Sequence, residues 1–483
     1  MLATLIKKEI VTTILDLRFV IASLLFLVLI PLGMYVSRKG YEQRLANYRL
    51  EHQMYRQKYG KEVSSGVEVQ GFRPPSVLSI FASGLDHYIP DKVITSRSGI
   101  FRTTKAVRAG DSPALLFGRM DLFFNMCFVA SLVALAFTFN SISGEKQAGT
   151  LGLMLSHPVS RSHILLSKIV GTYISLLLPL AMSLLIASII LELSQDISIL
   201  LPQLYPSYLM ILVVTLLFIL TMVTLGVLIS GMTQKPIISM TVSLFVWVII
   251  VLALPKVSPM LARIIYPVES EQVVKFRKRM VLDDLQKTYI QESTQIHNKY
   301  QHIPDELLSK YFAGKGYIRN LPSLASVVPL DEELTALRKK NQGQIDNKIG
   351  QIVRNHRNKM NIQNTIAMNI SRLSPASCYT YLVSGLSNTG PREFGKFTEN
   401  AQEFQDEVKK TIYDNYERRA TKSFSQTTTL RTPPDTVPDM RYRYANMAEI
   451  LEAGLVDMIL SFGFIFLFFT LAFVTFNRYD VRP

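Results

Sequence analysis

Long apolar blocks alternate with polar stretches along this chain, on a scale too coarse for a soluble core. Six blocks of about 18–24 residues carry no charged side chain: 19–36, 122–142, 169–191, 207–230, 237–254 and 458–476. At a helical rise of ~1.5 Å per residue, each is long enough to cross a ~30 Å hydrocarbon core. The first block follows an amphipathic lead, residues 1–18, and ends in "LGMYVSRKGY" with no small-residue cleavage pattern. It therefore reads as a permanent span and not as a removed leader.

Six spans put both termini on one side. The two long polar segments, 37–121 and 255–457, follow the first and fifth spans, so they share the opposite side and are expected to build one composite domain. The segment 143–168, the turn 231–236 and the tail 477–483 lie with the termini, and the short loop 192–206 lies opposite. Within the larger polar segment, 269–300, 331–373 and 401–420 read as long polar helices. The stretch 61–108 has a shorter period broken by Gly and Pro, which predicts some strand. The expected fold class is mainly α: a polytopic membrane protein with six transmembrane helices and a large, mostly helical extracytoplasmic domain with a small mixed α/β part. Pro179 is expected to bend the third span. Short loops on the terminal side carry Lys146, Arg161, Lys168 and Lys235, whereas "SQDISILLPQLYP" opposite carries no base. That asymmetry favours cytoplasmic termini, and a bacterial inner membrane is the expected location.

Charge changes little in this picture. The chain of 483 residues has a net charge of +15, but its bases are scattered among Glu, Asp, Gln and Asn. No arginine-rich tract or aromatic-spaced basic motif is present, so nucleic acid is not an expected partner. A basic surface near anionic lipid accounts for the excess. Of the two cysteines, Cys127 lies in an apolar block and Cys378 in a polar one, so no disulfide framework is expected.

The stretch "SGEKQAGTLGLMLSHPVSR", 143–161, is too polar to span and too patterned for a slack loop. Ser143 can cap a helix whose first turn carries Glu145. Leu151, Met154 and Leu155 then form a short apolar stripe at i, i+3 and i+4. Pro158 ends the helix, and Ser160 can cap the next one, which carries Lys168 into the third span.

This stretch resembles the signature of ABC type-2 transporter permeases, in which an acidic-basic start, a G-T-L and leucines lead to a P-V-S-R-like turn. Here these are Glu145, Gly149, Thr150, Leu151, Met154, Leu155, Pro158 and Arg161, followed by Lys168; Gln147 stands where an acid is common. The lead "LIKKEI…LDLRF" resembles the interfacial elbow helix of that family. The resemblance implies that 143–161 is a coupling helix seated in a groove of a separate cytosolic ABC ATPase, with Glu145 and Arg161 making polar contacts at its ends. It implies a second permease, identical or paralogous, and ATP and Mg used by the ATPase and not bound by this chain. Two outer stretches, "FRPPSVLSIFASGLDHYIP" and "SRLSPASCYTYLVSGL", resemble the subgroup with enlarged outer domains, which includes gliding-associated and copper-site-maturation relatives.

No catalytic or metal pattern competes with this reading. The heptapeptide "GPREFGK", 390–396, fits a phosphate-loop spacing, but Phe397 stands where a magnesium-binding Ser or Thr is needed. The seven histidines are scattered, and H-E-x-x-H, C-x-x-C and G-x-S-x-G do not occur. At the outer ends of spans, Arg119, Asp121 and Asp457 are read as interfacial polar groups in structural pairings of an Arg119–Asp457 type, with contact to the substrate as the alternative; Asn125 and Asn140 are expected to bond between helices. The expected function is the membrane subunit of an exporter-type complex moving an amphipathic or lipid-like substrate. The rival is a non-transporting device that relays the ATPase stroke to an envelope partner.

Overall fold

The computed structural model describes residues 2–59, 68–95, 101–104, 120–156, 159–193, 204–313, 326–422 and 438–478. An N-terminal helix, α1 (Leu2–Ile14), ends at Asp16, whose carboxylate accepts from Arg18 N and whose carbonyl accepts from Phe19 N. Six apolar helices follow, each containing one of the sequence blocks: Leu17–Gln57, Leu122–Gln147, Arg161–Glu192, Tyr205–Met232, Pro236–Ile265 and Met447–Asn477. The protein is thus a mainly helical, multi-pass membrane protein. Span four is central, with 72% of its apolar window buried against 17% for spans five and six. Gly226 permits that burial, because a Cβ there would stand 1.9 Å from Thr138 Oγ1 of span two.

Polar side chains join the spans where lipid offers no partner. Asn125 donates to Leu29 O of span one at 3.3 Å, as an interhelical bond requires. Trp247 Nε1 donates to Ser131 Oγ at 2.8 Å, which satisfies the single indole across spans two and five. Spans two and five each contain a π-helical turn, Asn125–Ala130 and Val248–Ala253, that the apolar pattern does not announce. Pro179 lies inside span three.

Contacts divide the chain into two compact units, so the polar segment 255–457 is split between them. The first unit holds the spans, span five only as far as Lys256, together with the polar parts around them in 37–121, 371–412 and 431–457. Span one continues as one helix to Tyr59, because 37–59 keeps good helix formers after the apolar run ends. Three antiparallel strands follow, β1 (Val69–Phe72), β2 (Lys92–Thr95) and β3 (Phe101–Thr104), in the order β1-β2-β3 with Val69 opposite Thr95 and Val93 opposite Thr103. Val69 and Val93 share a core with Phe397, Ala401, Phe404 and Val408, a helical stripe later in the chain. A buried charge cluster, Arg73–Asp86 at 2.7 Å with Arg44 at 3.8 Å, locks the same region. Asp439 accepts from Arg56 at 2.7 Å; burial pushes its carboxyl upward, but Arg56 and His52 hold it below the usual carboxylate range.

The second unit, 257–370 with 413–430, is built on a helical hairpin described below. The phosphate-loop lookalike falls at a helix start and follows a helix, Pro375–Leu386, not a strand. Lys396 there pairs with Glu449 at 3.0 Å.

Candidate functional site

The expected single helix over 143–157 is two helices. The first, α2 (Ser143–Gln147), and the second, α3 (Thr150–Ser156), meet at Gly149, whose φ of +72° lies in the left-handed region that glycine enters without penalty. Ser143 is not a cap: Ile142 precedes the helix, and the Ser143 hydroxyl donates back to Phe139 O at 2.7 Å. Ser160 does cap the third span, accepting from His163 N. Pro158 lies outside the described residues.

The segment is fastened at four points to the ends of other helices. Ser230 Oγ, at the end of span four, accepts from Ile142 N and Ser143 N, each at 3.0 Å, and donates to Phe139 O at 2.9 Å. Lys146 Nζ donates to Gly231 O and, at 3.1 Å, to Thr233 O, so a cation sits on the carbonyl end of span four. Glu145 Oε1 lies 2.7 Å from Lys168 Nζ, and Lys168 also lies 3.3 Å from Glu9 of α1. Arg161 donates to Phe476 O at 3.2 Å and Asn477 O at 2.6 Å, at the end of span six.

The ionic trio is enclosed. The Lys168 side chain is 2% exposed, and α1 approaches span three so closely that a Cβ on Gly171 would meet Glu9 Cβ at 2.6 Å. Such a cation is stable only while its carboxylates stay in place. Glu9 and Ser230 were not singled out from the sequence, and Lys146 was read only as a charge of the motif; their partners lie far along the chain or on the backbone, where no local pattern points to them.

The apolar stripe faces inward. Leu151 is 1% exposed, and Met154 and Leu155 pack on the same core, so these three hold the segment to its own bundle and do not project from it. The outward apolar side chain is Leu153, at 67% exposed. It borders a cleft of about 430 Å³ between α1 and α3 that is also lined by Leu5, Lys8, Glu145, Thr150 and Met154. Thr150 is exposed on the rim, its hydroxyl 3.4 Å from Glu145 O.

The other predicted polar residues stand at the opposite ends of the spans. Asp121 caps span two, accepting from Phe124 N at 2.8 Å and from Ser83 N and Oγ at 2.8 and 2.9 Å. Asp457 is held by Arg372 through two bonds of 2.7 and 2.9 Å. Arg119 lies outside the described residues. Nearby, a short helix, Pro375–Leu386, drives Tyr379 between Phe123 of span two and Phe218 of span four, with ring centroids 5.9 and 4.4 Å apart.

A sequence profile described as ABC-2 family transporter protein matches residues 3–481, nearly the whole chain. The chain belongs to the ABC-2 family of transporter proteins. Among curated proteins no match to it is found. As an ABC-2 family member it is the membrane component of an ABC system, and membership implies association with an ABC ATPase.

Proposed function

We propose that this ABC-2 protein is the permease subunit of an ATP-driven, exporter-type complex of two permeases and two cytosolic ATPases. In this reading both termini are cytoplasmic, the membrane is a bacterial inner membrane, and ATP and Mg are handled by the partner. The ATPase docks on the terminal-side face formed by α3 and α1, with Leu153 entering its groove. The observation that carries this reading is the fourfold attachment of 143–168, through which a load on α2 or on Arg161 reaches α1 and spans three, four and six. The spans contain almost no charge, which suits an amphipathic or lipid-like substrate.

Co-purification of the cognate ATPase tests the docking face. Leu153→Asp places a carboxylate where an apolar contact is proposed, at no cost to the fold because the site is exposed. It should abolish ATPase retention while thermal stability stays at the wild-type value. Leu151→Asp should instead unfold the segment, because that side chain is buried. Retention of the ATPase by the Leu153 variant at wild-type stoichiometry would remove α3 from the interface.

A second reading has its own support. The Tyr379 wedge and the Arg372–Asp457 pair fasten the outer part to spans two, four and six. The same stroke could therefore be delivered outward to an envelope partner without any cargo crossing. ATP-dependent movement of a labelled lipid by the reconstituted complex would favour export over this relay.

A further inference from the structure

The hairpin of the second unit consists of α4 (Glu271–Lys299) and α5 (Val328–Ser371), antiparallel through Lys299–Glu333 at 2.6 Å, Lys340–Glu292 at 2.9 Å and Gln363 Nε2 donating to Tyr266 O at 2.7 Å. Its two ends differ sharply in charge. At the end where the chain enters and leaves, residues 256–280 hold six cations against two carboxylates, and residues 351–370 hold three cations and no carboxylate. At the far end, 281–299 hold two cations against three carboxylates, and 328–350 hold four of each. The basic end is the one joined to the membrane. Span five runs without a break from Pro236 to Ile265, well past its apolar run, and α4 begins six residues later.

The cations there are not consumed by neighbours. Lys275 and Arg277 pair with Glu271 and Glu269, both at 3.1 Å. Arg263, Lys278, Arg279, Arg354 and Arg357 make no ion pair with a carboxylate among the described residues, and Lys359 acts on Glu269 through space without an ion pair of its own. Large apolar side chains stand exposed among them: Ile264 at 77%, Phe276 at 63% and Met280 at 57%. Water solvates such groups poorly, whereas a headgroup layer accepts both the rings and the charges.

We propose that the membrane-tethered end of this hairpin is a docking face for anionic phospholipid headgroups of the leaflet opposite the termini. Charge complementarity and continuity with a membrane span commit the face to lipid phosphate. Juxtamembrane cations bind such a surface additively and within a Debye length.

The test is native mass spectrometry of the full chain, delipidated in neutral detergent and titrated with phosphatidylglycerol or with phosphatidylcholine of the same acyl chains. Wild type should retain phosphatidylglycerol at least tenfold more tightly. Lys278→Gln, Arg279→Gln, Arg357→Gln and Lys359→Gln combined should bring the two lipids to parity. Arg338→Gln with Lys348→Gln at the far end should change nothing. If the fourfold variant fails to fold, wild type still decides: its preference should collapse as ammonium acetate rises from about 0.05 to about 0.5 M. Equal retention of both lipids by wild type overturns the proposal, and so does a preference that survives the fourfold change or the added salt. Displacement by inorganic phosphate at equal concentration overturns it in favour of a free-anion site. Loss of a dimer peak in the fourfold variant, with lipid retention unchanged, assigns the face to a second copy.

Discussion

Lys168 holds together three elements that share no sequence motif. It is enclosed with Glu145 on one side and Glu9 on the other, so removing it leaves two carboxylates facing each other across a poorly hydrated gap. Lys168→Met should therefore cost about 3 kcal/mol, within the range for breaking a buried ion pair. Glu145→Gln should cost much less, because Lys168 keeps Glu9 and the amide oxygen can still accept. Thermal unfolding in detergent measures both; equal losses would mean that the trio does not act as a unit. Only part of this was legible. Glu145 and Lys168 stand in a recognisable motif, but Glu9 lies 159 residues from Lys168, and no local pattern joins them. The i, i+3, i+4 spacing of Leu151, Met154 and Leu155 correctly predicts an apolar helix face. Periodicity cannot say which body that face meets, and here it meets the chain's own spans.

At the scale of elements, the spans were the easiest to read, because eighteen uncharged residues in a row have few uses outside a bilayer. The long polar helices, Glu271–Lys299 and Val328–Ser371, were also visible in composition. The extension of span one to Tyr59 was not, since a helix that leaves the membrane keeps its backbone but loses its apolar signature. Nor were the π turns, which depend on what packs beside them. Ser374 illustrates this: its hydroxyl caps the Pro375–Leu386 helix and also donates to Ile250 O, inside the π turn of span five, at 2.6 Å. Ser374→Ala should cost about 1–2 kcal/mol as a lost cap and buried bond. Tyr379→Ala should cost about 3–5 kcal/mol through the cavity left between two rings. Thermal unfolding ranks the pair, and a Tyr379→Ala loss below that of Ser374→Ala would show that the wedge is not packed as described.

For the molecule as a whole, orientation is the property on which the docking proposal stands. Cys127 and Cys378 are both buried, so a membrane-impermeant maleimide should leave the wild-type chain nearly unlabelled in intact cells. Gln291→Cys, exposed on the hairpin, should react from outside the inner membrane, and Ser156→Cys, exposed on the terminal side, should not. The reverse pattern would turn the protein over and take α3 out of reach of a cytosolic ATPase.

The closeness of Tyr266 and Gln363 also bears on the order in which the protein assembles. The bond from Ser374 to Ile250 bridges 124 residues, a long loop to close if the intervening chain is still disordered. Once the hairpin has formed, Tyr266 and Gln363 are already adjacent, and the effective loop shrinks to the 16 residues from Ile250 to Tyr266 and the 11 from Gln363 to Ser374. By the logarithmic rule that lowers the closure cost by about 1.3 kcal/mol, so hairpin formation ahead of the Pro375–Leu386 helix is the faster route. Cys378 reports the second event, since it becomes buried when that helix seats. In pulse-labelling during membrane insertion, Leu285→Ala, which weakens the hairpin interior, should delay protection of the Cys378 thiol. Unchanged protection kinetics would mean that the spans close without waiting for the hairpin.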